Sequence, residues 1–257
     1  MKKIIIQIYE IQTPEEAGLL IDAGVDNIGS VVRFESEWKD TRVKETVELV
    51  KKSGRTSSLI PLFNNLDTLF NTIDYYQPDI IHFCEIIADQ TGINPDCLKL
   101  IDLQKKVKAG FPEIKIMRSI PIAQFPKGSL IPSLEAAKMF EPVSDYFLTD
   151  TLILHKSDNT GNYSQPENGF VGITGITCDW DTAAKLVEAS KIPVILAGGI
   201  NPDNLIQGII KTKPWGIDSC TGTNKLDSSG VPVRFKKDMK KVMQMVELVR
   251  NYEKSLK

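Results

Sequence analysis

From end to end this chain alternates short apolar runs rich in β-branched residues with longer segments of helical period, and that rhythm demands βα units around a parallel sheet. Eight runs read as strands, at 4–9, 27–32, 57–63, 79–84, 114–120, 145–151, 193–198 and 216–220. Helical segments read at 13–23, 40–52, 66–76, 94–108, 133–140, 180–190, 202–211 and 235–252. Over 257 residues without a composition break, eight such units predict one α/β domain, a closed (β/α)8 TIM barrel spanning 1–257. An open doubly wound sheet is the alternative.

Helix signals support the spacing. Thr13-Pro14-Glu15-Glu16 supplies a capping hydroxyl, a first-turn proline and carboxylates in the positive first turn; Asn201-Pro202-Asp203 repeats the device. Gly24, Gly54 and Gly110 stand where helices should stop. Two stretches break the rhythm: a proline-rich connection at 120–133 and a polar, glycine-containing one at 155–171, read as a mobile cover over the face where barrels do chemistry. The basic C-terminal segment carries Val242, Met245, Val246 and Val249 at helical spacing and reads as a closing helix with a solvated face.

The formal charge of −2 leaves no electrostatic footprint for nucleic acid, and no run is long enough to span a membrane. The apolar start stops at Gln7, which favours a buried first strand over a signal peptide. Cys84, Cys97, Cys178 and Cys220 lie far apart, so neither a zinc site nor a disulfide framework is expected, and a reducing, cytoplasmic setting fits. No dinucleotide fingerprint, P-loop or metal-ligand spacing occurs, so no cofactor or metal is implied.

Two turns suggest an anion site. Strand 193–198 runs into Gly198 and Gly199 and then a helix start, and strand 216–220 runs into Cys220, Thr221 and Gly222. Glycines admit a ligand close to the backbone, and amides at a helix start are unpaired donors in a positive field. Adjacent turns after the seventh and eighth strands are where barrels commonly hold phosphate.

In combination and order, several motifs resemble the phosphoribosylanthranilate isomerase family over nearly the whole chain. Leu196-Ala197-Gly198-Gly199-Ile200-Asn201-Pro202-Asp203-Asn204 is similar to its glycine-rich strand end with N-P-x-N, and Asp218-Ser219-Cys220-Thr221-Gly222 to its D-V-S-S-G. Leu148-Thr149-Asp150-Thr151 resembles L-x-D-T, and Gly172-Ile173-Thr174-Gly175 with Asp179-Trp180 resembles G-G-[ST]-G with D-W. Glu15-Glu16-Ala17, Gly24-Val25-Asp26-Asn27-Ile28-Gly29 and Lys237-Asp238 complete the pattern. The departures fall at the chemistry. The family's K-I-C-G reads Gln7-Ile8-Tyr9-Glu10, which puts a tyrosine where the general-base thiol would be, and Q-L-H-G reads His82-Phe83-Cys84-Glu85. At the S-x-R arginine stands Trp38, leaving Arg42 as carboxylate clamp or surface charge.

The resemblance implies Amadori-type aldose–ketose isomerisation of a phosphoribosylamine in tryptophan biosynthesis, with Asp150 as the acid. Phosphate would be held by Gly175, Gly198, Gly199, Cys220, Thr221 and Gly222. Strand alternation turns Gln7, Tyr9, His82 and Cys84 towards the barrel axis, with Glu10 and Glu85 at the loop starts as solvated groups or acid–base candidates. A Cys84 thiol sharing a proton with His82 is the expected substitute base; a packed cysteine, a core histidine and a space-filling Tyr9 are the alternatives. The partner is a phosphorylated small molecule, with neither nucleic acid nor membrane, and the chain is a monomer or homodimer. Two further readings stay open: turnover of another phosphorylated ligand, or a non-catalytic phosphometabolite-binding barrel.

Overall fold

A computed structural model describes residues 3–154 and 165–256. Eight parallel strands close into a barrel, each bonded to its neighbours in the order 1-8-7-6-5-4-3-2. We number them β1 (Ile5–Ile8), β2 (Asn27–Val32), β3 (Thr56–Pro61), β4 (Ile80–Phe83), β5 (Lys115–Ala123), β6 (Tyr146–Leu152), β7 (Val194–Leu196) and β8 (Gly216–Ser219). The helices are α1 (Pro14–Ala23), α2 (Thr41–Lys52), α3 (Leu66–Tyr76), α4 (Cys97–Gly110), α5 (Ser133–Phe140), α6 (Trp180–Ala189), α7 (Leu205–Thr212) and α8 (Met239–Ser255). Closure in this register excludes the open-sheet alternative.

The alternation of side chains builds two layers. Ile6 and Ile8 point outward and pack with Leu20, Val242 and Met245 of the helical shell, while Ile81 and Phe83 meet Leu69, Ile73 and Val107. Inward, Tyr9, Ile80, Met117, Leu148, Ile195 and Ala197 fill the barrel. Thr13 caps α1 by accepting from Glu16 N at 3.3 Å, and Gly24 ends it at φ 91°, a left-handed conformation.

Three expected boundaries move. The last helix starts at Met239, capped by Asp238, and not at Phe235; residues Pro232–Lys237 pair antiparallel with Asn224–Leu226 in a hairpin. Asp227 builds its turn by accepting from the amides of Ser229 at 2.8 Å and Val231 at 2.9 Å. Helix α7 starts at Leu205, because Asn204 Oδ1 accepts from Asn201 N at 2.9 Å and holds 201–204 as a turn. Before α4 a second small hairpin pairs Ala88–Asp89 with Gly92–Ile93, so that helix begins at Cys97.

The connection at 120–133 is shorter than expected, since β5 runs on to Ala123. Of the expected cover at 155–171, residues 155–164 lie outside the described residues. Its end is held down: Val171 N donates to Cys84 O at 2.8 Å, and Ile86 N donates to Gly169 O at 2.9 Å. Among the described residues no helix is long and apolar enough to cross a membrane.

Candidate active site

A cavity of about 730 Å³, counted with its open mouth, lies at the C-terminal ends of the strands. Both glycine turns and Asp150 line it, together with Tyr9, His82, Cys84 and Asp218.

One end is a backbone cradle. Gly198 and Gly199 after β7 sit at φ 85° and 65°, which only glycine adopts freely. The three loops after β6, β7 and β8 interlock so closely that side chains are excluded. A Cβ on Gly199 would lie 2.5 Å from Thr177 N, and one on Gly222 would lie 2.2 Å from Ile200 O. Gly175 fits against the Thr221 methyl in the same way, a Cβ there reaching it at 3.0 Å. Among the described residues no protein acceptor takes the amides of Gly198, Gly199 or Gly222. Beneath the turn, Lys237 is buried and donates to Cys220 O at 2.9 Å and to Asn224 Oδ1 at 2.5 Å. Among the described residues its side-chain partners are all uncharged, Cys220 Sγ at 3.9 Å included, and it adds positive charge beside the turn. The terminal K-D match was the signal for this lysine, although spacing did not assign it to the site.

On the neighbouring strand β6 Asp150 is partly buried, with Oδ1 accepting from Thr151 N at 2.8 Å. Gly172, at φ 106°, lets the loop close on it: a Cβ there would meet Asp150 Oδ2 at 2.0 Å. Burial pushes the carboxyl up to about 7, against the bond from the Thr151 amide. A carboxyl poised there holds or releases a proton near neutrality, as acid–base work requires.

The floor is polar but saturated. Tyr9 bonds through its hydroxyl to Ser58 Oγ at 2.5 Å and to His82 Nδ1 at 2.8 Å, and His82 Nε2 bonds Ser119 Oγ at 2.8 Å. Both imidazole nitrogens are therefore occupied, and the expected Cys84–His82 proton sharing has no nitrogen to use. Burial, with Arg118 nearby, lowers His82 to about 3, so the ring is neutral. Burial raises the Tyr9 phenol well above its ordinary value. Cys84 sits in an apolar patch with Ala123, Leu152, Leu154 and Val171, and burial followed by the Glu85 charge raises its thiol. Burial likewise raises Cys220.

Three expectations change. Arg42 is on the outside of α2, paired with Glu15 Oε2 at 2.6 Å, and does not line the cavity; it is a surface charge. Glu10 and Glu85 are buried rather than solvated. Glu85 pairs with Arg118, which is wholly enclosed between the Phe83 and Phe140 rings, at 2.6 Å. Glu10 accepts from Arg234 Nε at 2.6 Å; Arg234 also reaches Glu167, which accepts from Arg33 Nε at 3.1 Å. Arg234 arrives on the hairpin that the helical reading of 235–252 concealed.

The family described as N-(5'phosphoribosyl)anthranilate (PRA) isomerase matches residues 122–248. The N-(5'-phosphoribosyl)anthranilate isomerase of Methanocella arvoryzae is 24% identical over 250 residues, covering 95% of this chain and 97% of that one. Isomerase 2 of Methanosarcina mazei is 28% identical over 246 residues, covering 96% and 94%. Among solved structures, the isomerase from Pyrococcus furiosus superposes with a TM-score of 0.64 at 20% identity, covering 96% of this chain and 99% of its own. A phosphoribosyl anthranilate isomerase in complex with reduced 1-(o-carboxyphenylamino)-1-deoxyribulose 5-phosphate superposes at 0.62 with 16% identity and the same coverage.

Proposed function

The chain belongs to the phosphoribosylanthranilate isomerase family, and from that premise we propose that it carries out the aldose–ketose isomerisation of a phosphoribosylamine, with phosphoribosylanthranilate as substrate. The observation that carries this reading is that Asp150 and the two glycine turns line one cavity. Free amides at Gly198, Gly199 and Gly222, with Lys237 beneath them, suit a phosphate dianion. A substrate tethered there presents its ribose to Asp150. The carboxyl, titrating at about 7, gives its proton to the ring oxygen as the furanose opens to an iminium. Removal of the C2′ proton then needs a base that Tyr9 does not supply, its phenol being raised and committed to Ser58 and His82. The same reading places the enzyme in the cytoplasm, in tryptophan biosynthesis.

A second reading, turnover of a different phosphorylated small molecule, draws on Tyr9 at the thiol position and on Arg42 facing away from the cavity. One experiment separates the two. The purified chain is incubated with phosphoribosylanthranilate beside its Asp150→Asn variant, following loss of anthranilate fluorescence. Consumption that the variant lacks supports the isomerase. A wild-type rate equal to buffer, with phosphate compounds still protecting against thermal unfolding, supports the second reading.

A further inference from the structure

Gln7 and Asp218 stand opposite each other in register across β1 and β8, and Gln7 Nε2 donates to Asp218 Oδ1 at 3.2 Å. Where the resembled motif has lysine and cysteine, this chain has Gln7 and Tyr9, so the thiol and a cation beside Asp218 are lost together. Asp218 lines the cavity from β8 and Asp150 from β6, on either side of the phosphate turn that follows β7.

The other groups in the cavity are committed elsewhere. Glu10 and Glu167 hold Arg234, His82 holds Tyr9 and Ser119, and Cys84 is packed among apolar side chains. Among the described residues Asp150 and Asp218 are the lining carboxyls that pair with no arginine, Asp150 accepting from the Thr151 amide and Asp218 from the Gln7 amide, so beside Asp150 it is Asp218 that stays free for chemistry.

We infer that Asp218 is the catalytic base of this chain, working with Asp150 as the acid across one substrate; the inference rests on the isomerase reading. Asp150 gives a proton to the ring oxygen as the C1′–O bond breaks and the nitrogen lone pair forms C1′=N. Asp218 then takes the C2′ proton; the C2′–H electron pair becomes C1′=C2′, and the C1′=N π pair returns to nitrogen. Ketonisation closes the cycle: Asp218 returns its proton to C1′ while the 2′-hydroxyl proton passes to Asp150. C2′ is oxidised as C1′ is reduced, so no external oxidant is required. Burial first, and then the neighbouring Asp150, push Asp218 up to about 8, with Gln7 and Lys237 opposing. A free thiol titrates near about 8.5. Burial thus makes this carboxyl a stronger base than an exposed carboxylate, in the direction of the thiol it replaces.

The test is steady-state kinetics of the full chain with phosphoribosylanthranilate from about pH 6 to 9, for wild type, Asp218→Asn and Gln7→Lys. We expect Asp218→Asn to lower kcat by about 100-fold or more, to keep KM within about threefold and to lose one limb of the pH profile. Gln7→Lys, which returns a cation to Asp218, should move one limb to lower pH by about one unit or more and lower kcat by about tenfold. Wild-type turnover with an Asp218→Asn kcat within about threefold overturns the base and leaves the isomerase standing. Should Asp218→Asn not fold, an unchanged profile in Gln7→Lys overturns the base instead. A wild type inactive at every pH overturns both.

Discussion

The hydroxyl of Tyr9 stands 2.8 Å from Nδ1 of His82, and the phenol ring lies over Gly29, where a Cβ would come within 2.1 Å of it. The side chain at the family's thiol position is thus a fixed part of the floor, locked by one glycine, one serine and one histidine. Tyr9→Phe leaves Ser58 Oγ and His82 Nδ1 without that partner in a buried setting, a loss of about 1–3 kcal/mol. The urea midpoint of the variant against wild type measures it. An unchanged midpoint would show that the hydroxyl has no structural role.

Gly29→Ala drives a methyl into the Tyr9 ring, and the ring has no room to retreat inside the barrel. We expect about 1–3 kcal/mol of destabilisation, as overpacked cores show, and partial relief when Tyr9→Ala is added. A double-mutant cycle on thermal unfolding reads the coupling.

The glycine cradle should be intolerant of side chains. Gly199→Ala adds strain at φ 65° and a clash with the backbone of 176–177, so affinity for inorganic phosphate or for a substrate analogue should fall by about tenfold or more. Calorimetric titration checks this. Arg42→Ala is the control: its exposed pair with Glu15 lies away from the cavity, and KM should stay within about twofold.

Glu85 and Arg118 form a buried pair, and two of their atoms, Glu85 Oε1 and Arg118 Nη2, have no hydrogen-bond partner among the described residues. Glu85→Ala strands the guanidinium between Phe83 and Phe140 and should cost about 3–5 kcal/mol. Glu85→Leu with Arg118→Met should recover most of that loss, because apolar replacement of both partners removes the desolvation penalty. Chemical denaturation of the three proteins decides.

Asp150 and Asp218 titrate at about 7 and about 8 in the folded chain, against about 3.9 when unfolded. The groups bearing on them are the Thr151 amide on Asp150, and Gln7 and Lys237 on Asp218; Glu10, Glu167, Cys84, Cys220, Tyr9 and His82 complete the titratable lining. Catalysis that needs one carboxyl protonated and the other ionised gives a bell-shaped kcat/KM, with limbs near those two values that belong to the pair. The stability effect has the opposite sense to that of an ion-paired aspartate. Above about pH 4 the unfolded chain sheds protons that the folded chain keeps, so stability falls as pH rises towards about 8. Asp218→Asn should flatten that decline between pH 5 and 8.5, measured as urea midpoints at the two values.

Period and punctuation were enough to read the barrel. The runs around Ile5, Asn27, Ile80 and Val194 became strands, and the helix starts at Thr13, Asp40 and Asp179 are side-chain caps as their residue types require. These signals are local, carried by neighbours in the chain, and so they survive without coordinates. The glycine turns were legible for the same reason. The hairpin at Asn224–Lys237 was not: its short strands follow a polar turn, and three of its residues, Phe235, Lys236 and Lys237, run straight into a helical pattern. Local order also says nothing about partners far away in sequence. Arg234 is 224 residues from Glu10, Gln7 is 211 from Asp218, and His82 is 73 from Tyr9. Whether an acid at a loop start is solvated or enclosed, and which buried carboxyl faces a cation and which an amide, depends on barrel closure bringing those strands side by side. Charge state follows from enclosure and neighbours, and those exist only once the chain is folded.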